Sequence, residues 1–164
     1  MNLDLDFVID FNYLEKIFEK YQIKNDCVAM KTQASEQKAY FCEHSQNQDK
    51  YIIGFFMLAS ADDQTPNSNL ASVVISLNDS DGVIFPNSRA LFPPFLRNII
   101  PVPAECRLNV GGFIDTKHSS MKVNINRVIK AGKTLFINYF HTITQCTVLA
   151  YILYAEGKLR EGIT

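Results

Sequence analysis

The sequence lacks the features that mark membrane-spanning and nucleic-acid-binding proteins. Tryptophan is absent, and no run of about eighteen residues is apolar enough for a membrane-spanning helix, although 47% of the 164 residues are hydrophobic. The sequence also has no large excess of positive or negative charge, because 16 basic and 17 acidic residues give a net charge of −1. Nucleic-acid binding requires concentrated positive charge. The sequence therefore predicts no membrane span and no nucleic-acid partner.

Cysteine is scarce and dispersed. The four cysteines never form the C-x-x-C pair of a zinc or redox site: Cys27, Cys42, Cys106 and Cys146. Zinc sites and disulfide frameworks need clustered ligands or a short secreted chain, so we expect buried reduced thiols, no metal site and an intracellular protein. The three histidines share no ligand spacing: His44, His118 and His141. The acidic start, MNLDLD, is unlike a secretory signal or a mitochondrial presequence, although an uncleaved or internal targeting signal stays open.

Proline is unevenly distributed. Five of the six prolines lie within residues 83–103, where we expect only brief regular structure. The length suffices for one buried core. We predict a single domain over residues 1–164, with an N-terminal helical segment over 1–25 and a proline-rich insertion at about 83–103. Apolar residues at helical spacing predict the helix itself from Phe11 to Tyr21, with Asp10 as N-cap and Lys20 on the exposed side.

The segment from Met121 to Leu159 predicts three consecutive strands. In the first, a period of two places apolar residues and one arginine on a single face: Met121, Val123, Ile125, Arg127 and Ile129. A turn follows at 130–133, where Gly132 permits a positive φ. Further strands are predicted at 135–144 and 147–155, the last apolar on both faces and therefore central or at a subunit contact. The short connections predict sequential antiparallel neighbours in one sheet.

The upstream sequence is less regular, because turn-forming residues interrupt it repeatedly. The predicted elements are two short strands at 27–30 and 38–42 around a turn, a buried helix or strand at 51–61, a break at 62–69, a strand at 70–77 and a turn at 78–82.

Residues 128–135, VIKAGKTL, lead into a long strand, a break and a strand that ends in Glu156-Gly157-Lys158. This pattern resembles the last half of hotdog-fold acyl-coenzyme A thioesterases of the phenylacetate-thioesterase type. Residues 105–113, ECRLNVGGF, resemble the strand before that family's long hairpin, and the strands at 27–30 and 38–42 resemble its opening hairpin. The resemblance implies an α+β hotdog fold, in which a curved antiparallel sheet surrounds a central helix, preceded by an N-terminal helix. It also implies a hotdog dimer, homomeric or heteromeric.

The chain departs from this family at the catalytic loop. The family has His-Gly-Gly before its central helix, where backbone amides polarise the thioester and a carboxylate activates water. Tyr51–Ala59 falls over that loop, and only Gly54 fits, because Met57 to Ala59 replaces His-Gly-Gly. Asp62 and Asp63 are the nearby candidate carboxylates, although adjacent aspartates before a proline are more often a solvated turn.

The resemblance implies positions for a coenzyme A or acyl-coenzyme A ligand, and no other cofactor is expected. Arg127, Lys130 and Lys133 are candidate contacts for its phosphates, although lysines at a hairpin tip usually serve solubility. Gly111 and Gly112 fall in the strand that borders the family's pantetheine channel and dimer contact. A simple β-bulge explains this glycine pair equally well.

Three functions follow from this comparison. The favoured one is a catalytically degenerate hotdog protein that acts as an accessory or structural subunit of a larger complex, with the proline-rich insertion as a contact surface. Eukaryotic relatives imply a mitochondrial complex over a cytoplasmic one. The second is an active thioesterase that hydrolyses acyl-coenzyme A to free acid and coenzyme A, using Asp62 or Asp63 with amides near Gly54. The third is a non-hydrolytic acyl- or pantetheine-binding module.

Overall fold

The computed structural model describes residues 7–61, 72–85, 99–101, 119–141 and 145–163. Within these residues no helix is long and apolar enough to cross a membrane. They form one α-helix, α1 (Phe11–Ile17), a 3-10 turn at Glu43–Ser45, and the strands β1 (Phe18–Lys31), β2 (Gln37–Phe41), β3 (Asp49–Ala61), β4 (Ser72–Asp79), β5 (Gly82–Phe85), β6 (Ile99–Pro101), β7 (Ser119–Ile129), β8 (Leu135–His141) and β9 (Cys146–Leu159).

The strands form two antiparallel sheets that pack face to face as a β-sandwich. Sheet A has the order β1-β9-β3-β7, and sheet B has the order β2-β8-β4-β5, with β6 also paired to β4. The predicted α+β hotdog fold is therefore wrong. In the described residues no sheet encloses a helix, because the inner face of each sheet is covered by the apolar face of the other.

The core lies between the two sheets. Sheet A contributes the buried side chains of Phe55, Met57 and Ile152, and sheet B contributes those of Leu77 and Ile137. Alternate residues along β8 and β9 are buried, as a period of two requires. Of the two positions predicted for the strand at 147–155, central or at a subunit contact, the structure shows the central one, since β9 lies between β1 and β3.

The three predicted strands after residue 120 exist, but their predicted pairing is wrong. β7 pairs with β3, β8 pairs with β2 and β4, and β9 pairs with β1 and β3. Consecutive strands thus lie in different sheets. Gly132 has a positive φ, as predicted, with a value of 86°. It lies in the segment that crosses from β7 in one sheet to β8 in the other. The opening hairpin fails in the same way, because β1 pairs with β9 and β2 with β8. A short polar connection can join two strands of different sheets as well as two strands of a hairpin.

The N-terminal segment covers one end of the outer face of sheet A. Asp10 is the predicted N-cap of α1, since its Oδ1 accepts a hydrogen bond of 3.0 Å from the Tyr13 amide. Leu14 and Ile17 are buried on the ends of β1 and β9. This segment shields an apolar surface that sheet B does not reach.

The helix is shorter than predicted. It ends at Ile17 instead of Tyr21, because Phe18 already has an extended backbone and begins the ladder with β9. Phe11, predicted on the buried face, is 53% exposed. Pairing with a central strand outweighs the weak local preference for helix.

The middle of the chain agrees with the remaining predictions where it is described. The ambiguous segment 51–61 is strand and belongs to β3. β4 confirms the strand at 70–77 with a small shift, and the predicted turn lies at Ser80 and Asp81. The break at 62–69 lies outside the described residues, as does most of the segment 83–103, in which β5 and β6 are brief.

Candidate functional site

A cleft of about 500 Å³ opens beside the β1 edge of sheet A. β1 forms one wall, the end of β9 forms another, and the segment that follows β2 closes the third side. A space of this size suits a small ligand or part of a peptide. Its lining residues are Lys20, Tyr21, Gln22, Lys24, His44, Ser45, Asn47, Gln48, Glu156, Gly157 and Lys158.

The rim of the cleft is basic. Lys20, Lys24 and Lys158 are exposed in its lining, whereas Glu156 is the one carboxylate there. Lys24 Nζ lies 2.5 Å from Glu156 Oε2. Lys158 pairs with Glu19 at 3.1 Å on the surface, where water and salt weaken the attraction. The lining therefore carries more positive than negative charge.

Below the rim, Lys50 ties the 3-10 segment to sheet A. Its Nζ donates hydrogen bonds to the carbonyls of Ser45 and, at 3.0 Å, Gln48, and it lies 3.8 Å from Glu156 Oε1. Burial lowers the pKa of Lys50. Burial also acts to raise the pKa of Glu156, but hydrogen bonds with Lys24 and Ser45 and nearby lysine charges outweigh it, so that pKa is lowered. The buried charges compensate each other and hold the loop.

Cys42 and Tyr154 lie next to this charged pair. Burial raises the pKa of the Cys42 thiol to about 11, against a smaller opposing effect of its hydrogen bond with Tyr154. The pKa of Tyr154 is also raised, chiefly by burial. The thiolate is the reactive form of cysteine. At neutral pH, Cys42 is thus a buried protonated thiol and not an activated nucleophile.

β1 is the long edge strand that borders this cleft. Among the described strands, β9 is the one that pairs with it. Of its fourteen residues only Phe18 and Met30 are buried, so most side chains along the edge remain accessible to another molecule.

The backbone direction of β1 follows from its last bonds. Thr32 donates its amide to the Cys146 carbonyl at 2.9 Å, in continuation of the β1–β9 register. Alternate residues of an antiparallel strand bond to the same neighbour, so the even-numbered residues from Lys20 to Met30 bond to β9. The odd-numbered amides of this stretch, which follows the register shift after Phe18, point away. The Cys27 amide fits this parity, because it donates instead to Asp26 Oδ1 at 2.8 Å.

Gly54 lies in the middle of β3. A β-carbon there would lie 2.2 Å from the ring of Phe7, so glycine leaves room for the N-terminal segment. Met57 and Leu58 are buried strand residues on opposite faces of sheet A. The prediction that Tyr51–Ala59 forms the loop before a central helix is wrong, because these residues pair with β7 and β9 on both sides.

The other predicted catalytic and pantetheine-contact positions lie outside the described residues. These positions are Asp62, Asp63, Gly111 and Gly112; Cys106 and His118, for which no such role is predicted, also lie outside the described residues. Their proposed roles stay predictions.

The three predicted phosphate contacts bind groups of the protein itself. Arg127 Nη2 lies 3.9 Å from the buried Asp79 carboxylate of sheet B. Lys133 pairs with Asp81, and Lys130 donates to the carbonyl of Ile163. Arg127 thus links β7 to β4, whereas Lys130 and Lys133 link the segment between β7 and β8 to other loop residues.

The cysteines and histidines do not gather into a metal site in the described residues. Cys27 is an exposed free thiol, and Cys42 and Cys146 are buried free thiols. His141 Nδ1 lies 2.9 Å from Thr32 Oγ1, which links the end of β8 to the end of β1. His44 lines the cleft.

Sequence reasoning missed the cleft and the β1 edge. The sequence predicts Lys20 on a helix, but α1 ends three residues earlier. Residues 18–31 do not alternate clearly, because both faces of an edge strand are partly wet. The signal that marks such a strand is its lysines at positions 20, 24 and 31, since native sheets place lysine on exposed edges.

No protein-family model and no curated protein matches this chain. A pilus structure of Bacillus endospore appendages is 13% identical over 85% of this chain and 89% of that chain, with a TM-score of 0.36. A turnip yellow mosaic virus structure is 8% identical over 88% and 99% of the two chains, with a TM-score of 0.36. The catalytic unit of an α-1,3-glucanase from Streptomyces thermodiastaticus is 10% identical over 90% of this chain and 26% of that chain, with a TM-score of 0.37. TM-scores this low carry no inference about fold or function, which rest on the residues described above.

Proposed function

We propose that this chain is a structural subunit that associates with another protein chain by strand addition at the edge of β1. The observation that supports this is the fourteen-residue edge strand, whose side chains are almost all accessible. Its odd-numbered amides point away from β9. Such an edge is a template for a further strand, in which main-chain hydrogen bonds supply affinity and side chains supply specificity.

The charges on β1 select a partner and do not close the edge. Lys24 and Asp26 have opposite signs and lie on the same face of the strand, because they are two residues apart. A strand with the complementary pattern gains two attractions, and one with the same sign is repelled. The edge therefore favours a defined partner over indiscriminate pairing.

The polar groups near the cleft support association over catalysis. A nucleophilic mechanism needs an activated nucleophile in contact with a base, but the Cys42 thiol is protonated at neutral pH. Lys50 and Glu156 compensate each other and anchor the loop. In the described residues these groups stabilise the sandwich.

The variant Asn25→Pro tests this function. Proline removes one amide that points away from β9 and leaves the β1–β9 ladder intact, so the variant should keep a β-sheet circular dichroism spectrum and unfold cooperatively. Native electrophoresis and immunoblotting measure the native mass of the chain in an extract of its source cells. For Asn25→Pro this mass should fall to that of a monomer.

Lys24→Pro is the matched control in the same strand. It removes an amide that bonds to β9 and should strongly destabilise the fold. An Asn25→Pro chain that folds and migrates with the same native mass as the wild type would reject strand addition at β1.

A second candidate function is binding of an anionic small molecule in the cleft, favoured by Lys20, Lys24 and Lys158 around about 500 Å³ of space. A ligand that binds only the folded chain raises its melting temperature. Wild-type protein would be melted with phosphorylated and carboxylate compounds, coenzyme A and acyl-coenzyme A included. A shift that disappears in Lys20→Gln/Lys158→Gln supports this function. No shift, or one that the double variant retains, rejects it.

A further inference from the structure

We propose that the partner strand is β1 of a second copy of this chain, paired antiparallel about a two-fold axis at Asn25. This inference rests on the proposed function and names its partner. A two-fold interface uses the same surface on both copies, so every favourable contact occurs twice. Two copies of sheet A would join edge to edge into one continuous sheet.

The direction of the amides restricts the possible registers. Hydrogen-bonded pairs of an antiparallel ladder join residues whose amides both point into the shared edge. On β1 these are odd-numbered residues, so odd positions must face odd positions. The two-fold axis therefore passes beside a residue that faces its own copy, and not between two residues.

Charge selects among the registers that remain. An axis at Lys24 or at Asp26 places two like charges directly opposite each other, which is destabilising. An axis at Asn25 places Lys24 of each copy opposite Asp26 of the other. This register overlaps residues 19–31, nearly the whole of β1.

The neighbouring registers are poorer. An axis at Ile23 places Lys20 opposite Asp26 but overlaps only residues 18–28. An axis at Cys27 overlaps only residues 23–31 and forms no opposite-charge pair on the face of Asp26. The register about Asn25 combines the longest ladder with two ion pairs.

Asp26 is placed to exchange partners when two copies meet. In the single chain its Oδ1 accepts from the Cys27 amide at 2.8 Å, and its Oδ2 accepts from the Cys42 amide at 2.7 Å. On pairing, the Cys27 amide donates to the Ile23 carbonyl of the second copy, which frees Oδ1 for Lys24 of that copy. Lys24 is within reach, because 43% of its side chain is exposed although it pairs with Glu156.

Complementary charge variants test the two ion pairs. Lys24→Asp alone and Asp26→Lys alone each place like charges opposite each other and should sediment as monomers at concentrations where the wild type is a dimer. An equimolar mixture should recover a dimer, because each copy of one variant then faces the complementary charge of the other. Circular dichroism of each variant alone checks its fold. Dimeric single variants, or a mixture of folded variants that stays monomeric, would overturn the register.

A disulfide provides an independent test of the register. Opposite residues of a hydrogen-bonded pair have Cα atoms about 5.5 Å apart, which suits a disulfide. Ile23→Cys should therefore form a covalent dimer under mild oxidation, through a bond between the introduced thiol and native Cys27 of the second copy. Non-reducing electrophoresis detects the dimer, peptide mass spectrometry identifies the bond, and wild-type protein gives the background.

Ile23→Cys/Cys27→Ser is the control that separates the two best registers. With the axis at Asn25 this variant should not crosslink. With the axis at Ile23 the two introduced thiols face each other and the covalent dimer persists, a result that would overturn the proposal.

Failure of this inference is distinguishable from failure of the proposed function. Purified wild-type protein that is monomeric at all accessible concentrations, and an Ile23→Cys variant without the expected disulfide, would exclude a second copy as partner. The Asn25→Pro experiment in the cell extract is independent of that result. A loss of native mass there would still support strand addition by a different chain.

Discussion

Two glycines of sheet A lie where a β-carbon would collide with neighbouring atoms. A β-carbon at Gly54 would lie 2.2 Å from the Phe7 ring, and one at Gly157 would lie 2.0 Å from the Lys20 carbonyl oxygen. The first obstacle is the ring of a side chain in the N-terminal segment, which can change its position without opening a strand ladder. The second is the backbone of β1 beside the irregular register near its start, which moves only if the ladder opens.

We expect Gly54→Ala to lower the free energy of unfolding by about 1–3 kcal/mol, the usual cost of an added methyl group in a packed site. In a Phe7→Ala background the same change should cost less, because the obstructing ring is gone. Urea denaturation of the four proteins of this double-mutant cycle measures the coupling. Gly157→Ala is the comparison: its loss should be larger and unaffected by Phe7→Ala.

Stability should fall in alkaline solution through Cys42. Its pKa is about 11 in the folded chain against an ordinary value of 9.0. Below pH 9 both states are protonated and the thiol has no effect on the pH dependence. As the pH rises from about 9 to about 11, the unfolded chain loses this proton and the folded chain retains it, so the unfolded state is favoured. Chemical denaturation across this range should show a weaker decline in Cys42→Ala than in the wild type. Equal slopes would contradict the assigned pKa.

At the scale of elements, the sequence supports the strands better than their partners. The period of two in residues 121–129 correctly predicts β7. The two-faced apolar pattern of 147–155 predicts a strand that is central or at a subunit contact, and β9 is central. Pairing depends on contacts between distant segments, such as β1 with β9, which no local pattern encodes. The basic cleft cannot be predicted for the same reason, because Lys24 and Lys158 line one cleft only when those strands pair.

The turn between β4 and β5 depends on Asp79. Its Oδ1 accepts hydrogen bonds from the amides of Asp81 and Gly82 at 2.8 and 3.1 Å, and its other oxygen lies 3.9 Å from Arg127. We expect Asp79→Ala to cost about 1–3 kcal/mol in unfolding free energy, because two amides lose their acceptor. Arg127→Gln should cost less than about 1 kcal/mol, since that ion pair is partly exposed. If urea denaturation shows a larger loss of unfolding free energy for Arg127→Gln than for Asp79→Ala, the ion pair contributes more to stability than the hydrogen bonds of the turn.

At the scale of the whole molecule, the fold determines which surfaces are open to association. A sandwich with open edges offers different surfaces from a sheet wrapped around a helix. In the described residues, apolar side chains of both inner faces pack into one core. The N-terminal segment covers part of the outer face of sheet A through Phe7, Leu14 and Ile17. Accessible main-chain groups therefore concentrate at strand edges. β1 is the longest described edge strand, and it is therefore the edge at which we propose that the molecule assembles.

Amide hydrogen exchange should report on the strand pairing within the sandwich and on the proposed pairing between two copies. In β9, which has a neighbour on each side, odd- and even-numbered amides should both be protected, because every amide lies in a ladder. In β1 of a dilute monomer, protection should alternate: the amides of Lys24 and Val28 bond to β9 and exchange slowly, and those of Ile23 and Asn25 exchange rapidly.

Raising the protein concentration should slow exchange at Ile23 and Asn25 selectively if β1 pairs with a second copy. NMR-detected exchange at low and high concentration measures this directly. Uniform protection along β1 at low concentration would contradict the open edge, and rapid exchange at Asn25 in a sedimenting dimer would place the dimer contact elsewhere.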